Sequence, residues 1–322
     1  MNKLSKERCL KDLSRLSLLF IDIFFPWIFG YFIGHSRFKS DNLCKHLLTF
    51  NMVVFWPVIN IFSMWVLKLD IALLWLPVLG LISYLAPGLV GWVMSKRRYS
   101  NPLDQGSYLL AAIMPNNITI GMIAAFILYG EQGVAISQMM SAVAVPISFL
   151  ICYPLAEYYA HLGKVEGAKR PTVWNLIVSK NQLPLIGLIF GLCLNFSGIS
   201  RPEVFGDVVA VFVHVSAWAF LFPVGHSMEL RELPQHLRAA WDLLAYKFIV
   251  APVAVGILAY YVLHDSVAIG TAIVVGGTPV AILAVVLSQL SRLNYHVAMA
   301  GVLMSHVVYV FVIFPLLIFL QH

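Results

Sequence analysis

The chain has 322 residues, of which 60% are apolar, 13% aromatic and only 11% charged, with a mean hydropathy of +0.85. A soluble domain carries about 25% charged residues, and a fold of this length cannot dry so much apolar surface. Soluble, disordered, collagenous and disulfide-scaffold classes are therefore excluded, and a polytopic all-α membrane protein remains. The formal net charge of +6 does not point to nucleic acid, because the basic residues fall between apolar runs, where they set orientation.

Barrel strands alternate apolar and polar positions over about ten residues. Here the apolar runs are continuous and long enough for helices, which need about 20 residues to cross the bilayer core. In chain order the runs predict ten spans, at roughly 14–34, 43–67, 71–94, 106–129, 132–160, 182–198, 206–228, 237–263, 267–290 and 295–320. The basic N-terminus is followed by no small-residue cleavage site, so the first span is expected to be retained. The longest polar connection runs over 161–181 and carries Lys164, Lys169, Arg170 and Lys180. It reads as a cytoplasmic linker between a first half (1–160) and a second half (182–322). Loops after the odd spans carry 13 Lys and Arg, against 7 on the opposite face. The positive-inside rule then puts both termini outside, in a plasma or inner membrane, although the basic tail alone argues the reverse.

A faint repeat links the halves. Pro57, Pro115 and Pro154, in spans two, four and five, are followed at offsets of 166, 164 and 161 by Pro223, Pro279 and Pro315 in spans seven, nine and ten. A repeat of five spans inserts its second copy upside down, and such 5+5 inverted repeats are an architecture of secondary transporters.

Spans four and nine each carry helix breakers mid-run. The first is Met114-Pro115-Asn116-Asn117-Ile118-Thr119-Ile120-Gly121 and the second is Val275-Gly276-Gly277-Thr278-Pro279-Val280-Ala281. Proline removes a backbone donor, and glycine permits non-helical angles. Backbone groups freed at membrane depth survive only inside protein or beside a water-filled cavity. Breaks at Pro115 and at Gly276, Gly277 and Pro279 therefore mark the expected binding site. Asn116, Asn117, Thr119 and Thr278 are its expected substrate ligands, aided by the positive ends of the half-helices.

These stretches resemble the auxin efflux carrier family, which includes plant auxin exporters and bacterial malate and malonate permeases. The likeness rests on Leu109 to Gly121, on the turn Leu128-Tyr129-Gly130-Glu131-Gln132-Gly133, on Asn51 to Pro57, and on Thr278-Pro279-Val280-Ala281 followed by Val285-Val286-Leu287. The resemblance implies ten helices with both termini outside. It also implies a scaffold of spans one, two, six and seven, and broken helices four and nine that cross within a moving bundle. The chain departs from the family pattern at Pro115-Asn116-Asn117, at Val145 before Pro146, at Gln289, and in a third span without Asp or Glu. These departures argue against auxin itself as cargo and against coupling through those carboxylates.

Other polar positions complete the candidates. Lys247 is the one basic residue well inside a span; it draws an anion, fastens the breaks of the crossing helices, or snorkels from a span that starts later than drawn. Gln138, Ser141 and Gln289 are candidate cavity-lining groups. Asp22 reads as half of an ion pair or as a near-surface group rather than a coupling residue, and His214, His226 and His306 are titratable groups in apolar surroundings that could carry a coupled proton. No metal-site spacing is present, and Cys9, Cys44, Cys152 and Cys193 follow no disulfide pattern. The motifs of membrane metalloproteases and of serine hydrolases are absent, so an enzyme is not expected. The expectation is an alternating-access carrier of a small organic anion with no bound cofactor, whose partners are that anion and the bilayer. A sodium-coupled carrier like the bile-acid symporters is the alternative. Coupling to H+ or Na+ and assembly as a homodimer stay open.

Overall fold

The computed structural model describes residues 3–164, 182–228 and 233–320. The linker expected over 161–181 lies, from residue 165 on, outside the described residues. All regular structure among them is helical, and the one β-type pairing is a single bridge between Pro115 and Val280. Seven stretches are long and apolar enough to cross a membrane, judged by length and composition.

In chain order the helices are α1 (Lys3–Gly34), α2 (Asp41–Trp65), α3 (Ile71–Arg98), α4 (Pro102–Ile113) and α5 (Asn117–Leu162). They continue as α6 (Leu183–Phe196), α7 (Val204–His226), α8 (233–262), α9 (Ser266–Gly276), α10 (Leu283–Leu290) and α11 (Tyr295–Leu320). Side-chain caps start several of them. Asn101 accepts from the Leu103 amide ahead of α4, with Pro102 at the first helical position, and Asp265 accepts from the Ala268 amide ahead of α9.

Proline shapes the interiors. In α2, α5, α8 and α11 the residue before a proline, namely Trp56, Tyr153, Ala251 or Phe314, donates to the carbonyl five positions back. The ring of Pro57, Pro154, Pro252 or Pro315 clashes with the turn before it and offers no N–H. A single wide turn takes up the strain without ending the helix. The turns Ser148–Cys152 and Tyr309–Ile313 lie 161 residues apart, the same offset as the prolines that follow them.

Glycine sets the closest packing. A Cβ on Gly30 or Gly34 of α1 would fall 2.1 Å from the Phe222 carbonyl oxygen and 2.3 Å from that of His226. On Gly225 of α7 it would fall 1.9 Å from the Trp27 carbonyl oxygen. The two helices thus touch backbone to backbone, as small-residue pairs allow in membranes. Gly187 and Gly191 of α6 meet α2 the same way, each with a Cβ position 2.6 Å from the carbonyl oxygen of Pro57 or Ile61. Buried amides cross-link these helices further. Asn51 Nδ2 donates to the Ser216 carbonyl at 3.0 Å, and Asn60 Nδ2 donates to the Pro184 carbonyl at 2.8 Å.

The long α5 is interrupted at Gly130, whose φ of +65° belongs to the left-handed region that glycine enters without steric cost. Pro115, Asn116, Ile118 and Thr119 line one cavity together with Gln138, Ser141, Val145 and Ser148, so the chain leaves it along the first arm (117–129), turns at Gly130 and returns along the second (131–162). Glu131, at that turn, is held in a two-pronged ion pair by Arg201, which also donates to the Phe62 carbonyl at 3.0 Å.

Candidate functional site

α4 ends at Ile113, and the chain becomes helical again at Asn117, so Met114, Pro115 and Asn116 form a break. α9 ends at Gly276 and α10 starts at Leu283, which leaves a longer break that contains Gly277, Thr278 and Pro279. The two breaks meet. The Asn116 amide donates to the Pro279 carbonyl at 2.8 Å, and the Ala281 amide donates to the Met114 carbonyl at 2.8 Å. These reciprocal bonds satisfy backbone groups that no helix can serve at this depth.

Side chains brace the crossing from both sides. Thr278 Oγ1 donates to Asn117 Oδ1 at 2.6 Å, and Asn117 Nδ2 donates to Ser83 Oγ of α3 at 3.1 Å. The Val280 amide donates to Ser305 Oγ of α11 at 3.0 Å. His306 donates from Nδ1 to the Val302 carbonyl at 2.7 Å, which leaves Nε2 to accept from Asn116 Nδ2 at 3.2 Å. Every one of these polar side chains is buried.

A cavity of about 360 Å³ lies beside the crossing, within the range of small-molecule sites. Its wall includes Asn116, Ile118 and Thr119 at the start of the first arm of α5, and Ala281, Ile282 and Leu283 at the start of α10. The N-terminal ends of two half-helices, each carrying a partial positive charge, therefore border one space. Gln138, Ser141, Asn60 and Tyr84 supply most of the remaining polar lining, and no Lys, Arg, His, Asp or Glu lines it among the described residues. Thr119 Oγ1 and Gln138 Nε2 are buried donors with no hydrogen-bond partner, on residues 1% and 5% exposed. Such groups cost about 1–3 kcal/mol each when left unmet.

The structure brings the expected site residues together in part. Asn116, Thr119, Gln138 and Pro115 line the cavity. Asn117 and Thr278 do not line it; they bond to each other inside the crossing, where Gly276, Gly277 and Pro279 form the second break. Lys247 lies in the wide turn of α8, fully buried near the Cys152 thiol, with its Nζ unpartnered, and it is not among the residues that line the cavity. Gln289 is exposed near the end of α10. Sequence reasoning passed over Ser83, Ser305 and Asn60, because a small polar residue in an unbroken apolar run carries no signal by itself. His306 and Ser141 stood among the candidates, the former without its partner Asn116.

The model of a family described as membrane transport protein matches residues 17–319. The chain belongs to this family, the auxin efflux carriers. Its members are transporters, and the apolar helices make this carrier an integral, multi-pass membrane protein. No curated protein matches the chain.

Proposed function

We propose that this auxin-efflux-carrier homologue is a secondary carrier of a small organic anion that works by alternating access. It has ten crossings, arranged as two inverted halves of five. The observation that carries the reading is the contact between the two breaks at Pro115 and Val280, beside a cavity that two half-helix N-termini border. A secondary transporter binds its substrate where broken helices of two inverted halves meet, with positive helix ends turned to the anionic group. The shared offset of 161 between the wide turns of α5 and α11 supports the two halves. The turn at Gly130 divides the 46-residue α5 into two crossings, and the pairs α4 with the first arm of α5, and α9 with α10, make one interrupted crossing each.

In this reading Thr119 and Gln138 take their missing hydrogen-bond partner from the carboxylate of the cargo. Asn116 orients it, while Asn117 and Thr278 hold the breaks in register. Among the described residues the cavity offers no cationic side chain, so helix dipoles and neutral donors supply the attraction, and the apolar wall selects an anion with a hydrocarbon body. The lining extends to Leu48, Pro184, Leu185 and Ser227, at the ends of α2, α6 and α7. By the distribution of lysine and arginine those ends face the cytoplasm, which makes this the inward-facing state. Purified carrier screened for thermal stabilisation with benzoate, indole-3-acetate, malate and malonate, then assayed for saturable flux in proteoliposomes, tests the reading. Stabilisation by at least one carboxylate with matching flux is expected. Flux of none of them under any ion gradient rejects it.

A further inference from the structure

Asp22 of α1 and His214 of α7 are absent from the cavity lining, yet they place a paired carboxylate and imidazole in the middle of two apolar helices. Asp22 lies near the middle of the apolar stretch Leu13–Gly34, and His214 near the middle of Val204–His226. His214 Nδ1 is 2.5 Å from Asp22 Oδ2. Asp22 is 3% exposed, whereas the His214 side chain keeps 31% of its surface. Around them lies an apolar cluster that includes Leu19, Ile23, Val213 and Ala217. Ionisable groups at this depth are expensive, and a pair that can change its charge there calls for a use.

The chemistry fixes where a proton enters. The Nδ1–H of His214 donates to the carboxylate, so Nε2 is the ring position left to bind one. Uptake converts a neutral imidazole beside a carboxylate, with net charge −1, into an imidazolium–carboxylate pair of net charge zero. Nothing else is consumed, and the Nδ1–H to Oδ2 bond persists in both forms. The edge of the moving bundle rests on this group. Phe126, on the first arm of α5 seven residues after Thr119, packs T-shaped on the His214 ring at 5.5 Å between centroids, a contact whose strength depends on the charge of the imidazole.

Charged groups on the surrounding elements are committed elsewhere or lie at the surface, and the one buried, unpartnered group among those that follow is the Tyr309 phenol. Arg15 of α1 reaches the Leu128 carbonyl at 3.4 Å, and Asp207 of α7 is exposed. On α5, Glu131 is paired with Arg201 and the Tyr129 hydroxyl packs against Gly270. On α11, His306 is bonded to Asn116 and Val302, and Tyr309 is a buried phenol. α2 carries Asp41, Lys45 and His46 at its start and no ionisable group further along.

We propose that Asp22 and His214 form a proton-binding site that couples carboxylate transport to proton movement. The inference rests on the transport reading above. The first arm of α5 slides past α1 and α7 with the pair neutralised by its proton, because burying a net charge of −1 in that apolar surround opposes the movement. The proton is picked up and released at Nε2 as the arm uncovers it, and one proton accompanies each cargo molecule.

The test uses full-length protein in liposomes loaded with pyranine, with radiolabelled malate and benzoate as cargo and protein-free liposomes as the control for passive entry. In the wild type, carboxylate uptake acidifies the lumen, and a gradient of about one pH unit raises accumulation roughly tenfold per coupled proton. In His214→Gln and in the Asp22→Asn/His214→Gln double variant the acidification disappears. Thermal stabilisation by cargo persists in both, and Asp22→Glu alone, which keeps a carboxylate beside His214, retains coupling. Carboxylate flux without proton movement in the wild type, or coupling retained in the double variant, overturns the proposal while the transport reading stands. If no carboxylate moves, the transport reading fails, and histidine NMR of the purified wild type against His214→Gln judges the proton site separately. The proposal requires a His214 signal that titrates between roughly pH 4 and pH 9, and a signal that does not titrate overturns it.

Discussion

Two regions of this carrier meet their neighbours by opposite chemistry. Where α1 packs on α7 and α2 on α6, glycines bring backbone against backbone, and no Cβ fits between. Where the broken helices cross, the contacts are polar and reciprocal: amide to carbonyl between the breaks, then Asn117 to Ser83, Thr278 to Asn117 and Asn116 to His306. Interlocked glycine faces have one arrangement and no room to slide. A polar junction beside a cavity has donors to spare, as Thr119 and Gln138 show. In the proposed reading the glycine-packed helices hold still and the polar junction answers a ligand.

Substitutions break or sharpen that contrast in a definite order. Gly225→Leu drives a side chain into the Trp27 carbonyl and is expected to cost roughly 3 kcal/mol. It should abolish the folded protein in detergent, measured by size-exclusion profile and thermal midpoint. Asn117→Ala comes next. It removes the bonds that tie Ser83 and Thr278 to each other through Asn117, leaving them only the Gly80 and Val275 carbonyls, lowers stability by about 1–2 kcal/mol and removes transport, while membrane insertion, read by fractionation, is retained. Wild-type flux in that variant would show that the crossing does not need its asparagine.

Thr119→Val with Gln138→Leu removes two unmet donors from the cavity wall. Stability should hold or rise, because both atoms lack protein partners. Carboxylate affinity should fall roughly ten- to a hundredfold by titration calorimetry, the loss expected for charge-assisted hydrogen bonds. Lys247→Met has the smallest expected effect on binding, under about twofold, since Lys247 is not part of the cavity lining. Its thermal midpoint should rise, because a buried, unpartnered ammonium is replaced by an apolar side chain of similar length.

Much of the architecture could be read from residue order alone. Apolar runs gave the helices, and the breakers Pro115, Gly276, Gly277 and Pro279 located both interruptions within a residue or two. Proline also marked the wide turns, though not reliably. Pro26, Pro87 and Pro223 sit inside helices without one. The division of labour among polar residues was not legible. Asn116 and Asn117 are adjacent and identical in type, yet one faces the cavity and the other is spent on Ser83 and Thr278. That choice is made by the direction in which the chain leaves the break. Pairings such as Asp22 with His214 or Glu131 with Arg201 join residues far apart in the chain, and no local pattern announces them.

The central claim is that neutral donors at the crossing, not a charged side chain, hold the anion. Comparing carboxylate-induced thermal stabilisation of the wild type with that of Thr119→Val/Gln138→Leu and of Lys247→Met tests it most directly. The account predicts that stabilisation is lost in the first variant, whose unliganded midpoint is unchanged or higher, and kept in the second. Stabilisation that survives the loss of Thr119 and Gln138 but vanishes with Lys247 would contradict it.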